Sequence, residues 1–377
     1  MASPMDLPRA AVPGMRRPIA RSAFTLTLRT AAGLVIALLL LVAFLRLVNV
    51  SSVAQRLQHL RLGLALLCGL VFLSAYGVRA LRWRWLLAPH RVGVLRVVAI
   101  YQVAIFLNWL LPVRGGELVK CLLLRRLAAL PLSRSLPSVT MDKAMDLLPA
   151  VGLLILLPFV PLHLSRALWL LLLFPLALVG LGVLVLGLAA WRRQRALALL
   201  ARLTATLPMG VRGRIEPFVV RFVDALLALV GRPRLLLIAG AYTAVAVGLD
   251  ALFCWLAFRA VGADVAFPLI LYGYTFYNLA YMLPTPPGQI GSNELIGLLV
   301  FSGLLHMNRT AVAAMFLFSH PWTALLMVGS GLLCLSAMGL TLRATLALTQ
   351  DPARHNSGDS VEVRDTPALG PQRSGAG

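Results

Sequence analysis

Acidic residues are scarce in this chain, and charge of either sign is thin. Of 377 residues 13 are Asp or Glu, against 35 Lys or Arg, and charged residues make up 13% of the total. A surface with so little charge is not that of a soluble domain. Apolar residues reach 60%, and several unbroken apolar runs are about 18 residues or longer, the length a bilayer demands. The short alternating segments of a β-barrel are missing too. The composition predicts an all-α, polytopic membrane helix bundle. Cysteine is equally sparse: Cys68, Cys121, Cys254 and Cys334 stand in apolar surroundings without CxxC spacing or a neighbouring histidine. They are predicted to be small buried hydrophobes, with no disulfide, metal or cofactor implied.

The charge that is present sums to +22. It comes from arginine far more than lysine, and it lies between the apolar runs, not in one basic domain. That distribution fits positive-inside topology and attraction to anionic lipid heads; it argues against nucleic acid and for membrane lipids as partners.

Residues 1–29 form a basic N-terminus carrying Arg9, Arg16, Arg17, Arg21 and Arg29. It imitates a signal peptide, but the long basic lead and the spans that follow favour an uncleaved first span with a cytoplasmic start. A transmembrane domain is predicted over 30–349. Its first two spans fall near 30–48 and 62–80, joined by an amphipathic interfacial piece capped by Ser51 or Ser52. Arg79, Arg82, Arg84, Arg91 and Arg96, with Trp83 and Trp85, then resemble a cytoplasmic interface.

Next comes FLNWLLPVRGGELVKCLLLRR, an apolar stretch interrupted by Pro112, Arg114, Gly115, Gly116, Glu117 and Lys120. Basic clusters flank it on both sides, yet 97–124 holds only about 28 residues where two full spans need about 40. A re-entrant hairpin broken at the polar insert satisfies both constraints, provided protein or a wet cavity covers the unpaired backbone. Further spans are predicted near 139–162, 167–190 and 235–258, with a basic cytoplasmic segment at 191–234. Its helical apolar spacing suits a surface-lying helix or a small soluble helical hairpin. The segment 267–305, broken at MLPTPPGQIGSNE, is a second re-entrant hairpin or a pair of spans. Residues 311–342 are one long helix or two, kinked at Pro321, and 350–377 read as a disordered tail.

The two interrupted segments echo one another. Each has an asparagine (Asn108, Asn278), a Leu-Pro, a glycine-bearing break and a Glu-Leu opening a new helix. Paired broken segments entering from opposite faces point to an inverted-repeat transporter with a midplane site; chance recurrence in a Leu-rich chain is the alternative.

Ionisable groups inside the membrane cost about 2.5–3.5 kcal/mol each on insertion scales, so they must be paired, hydrated or functional. The candidates beyond the first insert are Asp142, Lys143, Asp146, Asp250, Glu294 and His320. Asp142 and Asp146, four apart, share a helix face and need a cation or proton between them, which Arg114, Lys120, Arg125 or Arg126 would supply. That network is an ion-pair clamp, a substrate or proton site, or both. Asp250 has a hidden partner or a proton role, and His320, just before Pro321, is placed to bond backbone freed at the kink. Arg114, Gly115 and Gly116 ahead of a helix starting near Glu117 make an anion cradle. A phosphate head group would be neutralised there by Arg114, Lys120, Arg125 and Arg126. Glu117 serves as an N-terminal cap or an arginine's partner.

These pieces, RALRWRWLL, NWLLPVRGGELVKCLLLRR, TMDKAMDLL and LPTPPGQIGSNE in that order, resemble the transmembrane-region family of lysylphosphatidylglycerol synthases, also called flippase-like domain proteins. The family's Pro-Gly-Arg-x-Gly-Glu type motif with a later arginine maps to Pro112, Arg114, Gly116, Glu117 and Lys120. Its acidic pattern maps to Asp142, Lys143 and Asp146, and its Pro-x-Gly pattern to Pro284, Gly288, Gly291 and Glu294, with Pro287 an added rigid element. Lys120 and Lys143 stand where arginine is usual, and His320 where the family often has an arginine. The resemblance implies translocation or presentation of a lipid or lipid-linked sugar with an anionic head group across the cytoplasmic membrane. The alternatives are a membrane enzyme adding an aminoacyl, sugar or phosphate group to a lipid, or a scaffold for a separately encoded transferase. The longest loop carries no nucleotide motif, which weighs against the enzyme.

Overall fold

The structure is a computed structural model. It describes residues 19–146 apart from 112–114, residues 227–346 apart from 281–284 and 344, and isolated positions between; side chains are described from Gly33 onward. The expected spans at 167–190 and most of 139–162, the segment 191–226, the first 18 residues and the C-terminal tail lie outside the described residues.

All regular structure among the described residues is helical. In chain order α1 is Ile19–Leu47, α2 Val50–Gln58, α3 Leu62–Leu86, α4 Val94–Leu110, α5 Gly116–Ala128 and α6 Leu132–Met145. After the undescribed stretch come α7 Pro233–Ala260, α8 Phe267–Ala280, the short α9 Ser292–Gly297, which runs on as a π-helical turn Leu298–Leu304, and α10 Arg309–Ala337. Among the described residues α3, α7 and α10 are long and apolar enough to cross a membrane. The pair of α1 and α2, bent by 90°, adds a fourth if it is one span.

Each boundary has a local cause. The chain turns between α1 and α2 because Asn49, extended at φ −83°, ψ 102°, accepts the Ser52 N–H on its side chain at 3.2 Å. Asn49, not Ser51 or Ser52, is therefore the cap; the Ser51 hydroxyl donates to the same oxygen at 2.7 Å. α10 begins in the same way, with Asn308 accepting the Ala311 N–H at 3.0 Å. It then runs as one helix through Pro321.

α3 and α7 lie along one another, with small and weakly polar residues buried on both, among them Ala65 and Ala75 of α3 and Ala239, Thr243, Ala246 and Ala251 of α7; Gly69 of α3 instead faces Trp322 and Leu326 of α10. Small side chains let backbones approach closely where lipid supplies no hydrophobic drive between helices. α10 packs between this pair and α4. The outer faces carry exposed Leu and Val, as on α1 (Leu34, Leu38, Leu39) and α7 (Leu237, Val245), which is what a lipid-facing surface requires.

Two pairs of short helices fold back on themselves. α4 and α5 are antiparallel: Arg96 at the start of α4 donates to the Leu127 carbonyl near the end of α5 at 3.1 Å, while Gly116 meets Ala104 and Asn108 at the other end. With 17 and 13 residues, the arms are about 25 and 20 Å long, less than the roughly 30 Å of a bilayer core. The second pair is α8 with α9 and its π turn, where Gly273 faces Phe301 and Leu305, and the Tyr277 hydroxyl donates to Asn293.

Candidate functional site

The first break is closed by one glycine and one asparagine. A Cβ on Gly116 would lie 2.1 Å from the Ala104 carbonyl oxygen, so α5 can start this close to α4 only with glycine there. The Gly116 N–H, one of the donors left free at a helix start, gives its proton to Asn108 Oδ1 at 2.7 Å. Asn108 and Gly116 therefore hold the hairpin together at its tip. Arg114 and Pro112 lie outside the described residues.

Beside this break is a network of six charges, of which Arg82, Lys120 and Asp142 are buried. Arg82 of α3, wholly buried, donates to Asp142 Oδ1 at 2.9 Å, Asp146 Oδ1 at 2.7 Å, the Asp142 carbonyl at 3.1 Å and Thr243 at 3.0 Å. Lys120 lies 3.0 Å from Glu117 and 3.2 Å from Asp142. It also sits over the Tyr101 ring at 3.8 Å and the Trp83 ring at 5.4 Å. Lys143 bridges Glu117 at 3.0 Å and Asp146 at 3.4 Å. Three cations meet three carboxylates, so the cluster is neutral, and Lys120 and Lys143 are the only lysines in the chain. Mutual pairing with further hydrogen bonds is what makes so much buried charge tolerable. The cluster ties α3, α5, α6 and α7 together around the broken hairpin.

This geometry revises several sequence expectations. Arg82 and Trp83, expected at a membrane interface, are instead fully buried, and Arg82 is the main cation between Asp142 and Asp146. Spacing puts Arg79 and Arg82, three apart, on one face of α3 that Arg84 does not share; that this face points inward comes from the packing. Lys120 is committed to carboxylates with 1% exposure, so it is not free to neutralise an anion. Glu117 partners both lysines and no described arginine. The accessible edge of the cluster is Lys143, whose side chain is 52% exposed, beside half-buried Asp146 and Glu117. Arg125 and Arg126 sit in the last turn of α5, about 14 Å along the helix from Gly116, and do not join the break. Asp250 has the hidden partner: Arg79 donates to it through two nitrogens.

The second break is built differently. Pro287, Gly288 and Gln289 form a single 3₁₀ turn, with Gly288 at φ 65° and Gly291 at φ 77°, a region that side chains disfavour. A Cβ on Gly291 would lie 2.4 Å from the Leu41 backbone nitrogen, so α1 closes directly over this break. Glu294 Oε2 accepts the Gly291 N–H at 2.8 Å, and its Oε1 lies 2.5 Å from His320 Nδ1. His320 Nε2 faces the Gly288 carbonyl at 2.9 Å. His320 thus bonds the second break, not backbone freed in its own helix. Pro284 lies outside the described residues.

The two breaks meet. A Cβ placed on Gly288 would lie 3.7 Å from the Trp109 ring, which stands beside Asn108 at the end of α4. The Trp109 indole N–H is buried there and has no hydrogen-bond partner among the described residues.

With this arrangement in view, the lysylphosphatidylglycerol synthase transmembrane region matches residues 30–331, from within α1 to within α10 and across both breaks. The chain belongs to that family. It is accordingly a multi-pass membrane protein, in keeping with its long apolar helices. No curated protein and no solved structure matches it.

Proposed function

We propose that this family member translocates or presents a lipid, or a lipid-linked sugar, with an anionic head group across the cytoplasmic membrane, its N-terminus inside. The two broken hairpins act as re-entrant halves of an inverted repeat, and the head group passes where their breaks meet. One observation carries the reading: the tips of two short-armed hairpins touch at Trp109 and Gly288, and a buried indole donor stands there unpartnered among the described residues. Buried donors are almost always satisfied, so an orphan at such a junction suits a ligand's acceptor oxygen. Broken segments meeting in a helix bundle are also how transporters expose helix ends to a polar substrate without exposing backbone to lipid.

The charge for an anion then comes from the edge of the first break. The cluster around Arg82 cancels itself, so a phosphate would gain little from Lys120. Arg114, which by its place in the chain precedes the N-terminus of α5, and the exposed Lys143 are the cations we assign to the head group, helped by the helix dipole. The cluster serves as the rigid frame for that edge.

The test is head-group translocation in reconstituted vesicles, using a fluorescent anionic lipid and a dithionite-accessible leaflet. Arg114→Ala is expected to slow translocation at least tenfold, about 1.4 kcal/mol, with the protein's melting unchanged. Translocation at the wild-type rate in Arg114→Ala and Glu117→Ala would refute this site.

A further inference from the structure

His320 is buried, at 8% exposure, and both of its ring nitrogens face acceptors: a carboxylate oxygen of Glu294 at 2.5 Å and the Gly288 carbonyl at 2.9 Å. A carbonyl cannot donate, so the two contacts are both hydrogen bonds only when Nε2 carries a proton and a second proton lies between Nδ1 and Glu294 Oε1. That second proton is held either as imidazolium with carboxylate or as neutral imidazole with carboxylic acid. These two forms differ only in which heavy atom holds it. The other Glu294 oxygen is already filled by the Gly291 N–H. The pair therefore takes one removable proton, and with it bound α10 is joined to the break at Gly288, inside the Pro287–Gln289 turn, and through Glu294 at Gly291 after it.

We propose that His320 and Glu294 are a single-proton latch on the second break. With the proton bound, Gly288 and Gly291 are both tied, through this pair, to α10. When it leaves to water, the neutral ring has one N–H for two acceptors, so it keeps the Glu294 carboxylate or the Gly288 carbonyl but not both. One of the two ties between the break and α10 is lost, and the pair is left with a net charge of −1. The sign is fixed by the chemistry: the latch is closed at low pH and opens as pH rises.

Among the described residues no other charge stands in for the proton. Glu294 is the one titratable side chain within hydrogen-bond reach of His320 among the described residues. On the helices packed against α10, Arg56 bonds the Val261 carbonyl and Arg96 that of Leu127. Arg79 is held by Asp250, Arg82 by Asp142 and Asp146, and Arg259 by Asp264; Arg84 bonds the Val92 carbonyl and Tyr101 reaches Asp142. Arg234 is exposed at the start of α7. Tyr277, on the facing arm, bonds Asn293.

The inference stands apart from the transport reading, because its test reads access to the break and not movement of lipid. Ser292→Cys places a thiol on a buried residue inside the break, 8% exposed. The full chain in nanodiscs of phosphatidylglycerol and phosphatidylethanolamine is labelled with methyl methanethiosulfonate from about pH 5 to about pH 9, a range bracketing histidine titration. The modified residue is located by peptide mass spectrometry. The same substitution in a Glu294→Gln chain is the reference, which cancels the pH dependence of thiol chemistry. The glutamine amide of that chain would donate to Nδ1 of the neutral ring and accept from Gly291, while Nε2–H keeps the Gly288 carbonyl, so the reference holds both ties without the removable proton. The ratio of rates is expected to be near one at low pH and to rise about tenfold or more at high pH, as loss of a charge-assisted hydrogen bond requires. Adding His320→Ala is expected to give fast labelling throughout. A ratio that does not change with pH, or His320→Ala labelling as slowly as Glu294→Gln, would overturn the latch.

Discussion

The two breaks lie against each other and are held by opposite means. The first is fixed by three cations and three carboxylates, with Arg82 at the centre and every lysine of the chain engaged. The second is held by one histidine, one glutamate and two glycines under α1. A cluster joining four helices is a frame; a contact resting on one proton is a joint. On the transport reading proposed above, the moving part belongs at the weaker tie, the second break.

Substitutions can break this contrast in a definite order. Arg82→Ala should be the most damaging, since it leaves three carboxylates to two lysines, one negative charge uncompensated beside buried Asp142. A loss of about 3–5 kcal/mol is expected, read as a large fall in apparent melting temperature in nanodiscs or as failure to assemble. The Arg79–Asp250 pair sharpens the point about pairing. Asp250→Leu alone should cost about 3 kcal/mol, and Arg79→Leu together with Asp250→Leu should regain most of it, because burying neither charge is cheaper than burying one. His320→Ala should cost only about 1–3 kcal/mol while greatly increasing access to Ser292→Cys, separating joint from frame. Lys143→Ala, at the exposed edge, should change melting by less than about 1 kcal/mol. If His320→Ala proved as destructive as Arg82→Ala, the division into frame and joint would be wrong.

Much of this was legible in the sequence, and the reasons are physical. Long apolar runs fix membrane helices by length alone, so α3, α7 and α10 fall where hydropathy predicts them. The interruptions at Gly115–Gly116 and Pro287–Gly291 stand out because glycine, proline and charge are costly in an apolar helix unless something answers them. Partners were much harder to see. Arg82 looked like an interfacial cation because arginine near tryptophan normally is one; its inward direction depends on which face of α3 meets α6 and α7, a tertiary fact. Asp250 finds Arg79 171 residues away, beyond any local pattern. His320 beside Pro321 suggested a local backbone repair, whereas the ring reaches across to Gly288 and Glu294. That the breaks touch at Trp109 could not be read from either segment alone.

The most direct test of the whole account joins those two tips. A Leu110→Cys, Ile290→Cys chain, with thiols on the exposed neighbours of Trp109 and Gly288 and linked by a short cleavable cross-linker, is assayed for translocation of a fluorescent anionic lipid in vesicles before and after reduction. Translocation should stop on cross-linking and return once the link is cut. Full-rate translocation by the cross-linked protein would contradict a path between the two breaks.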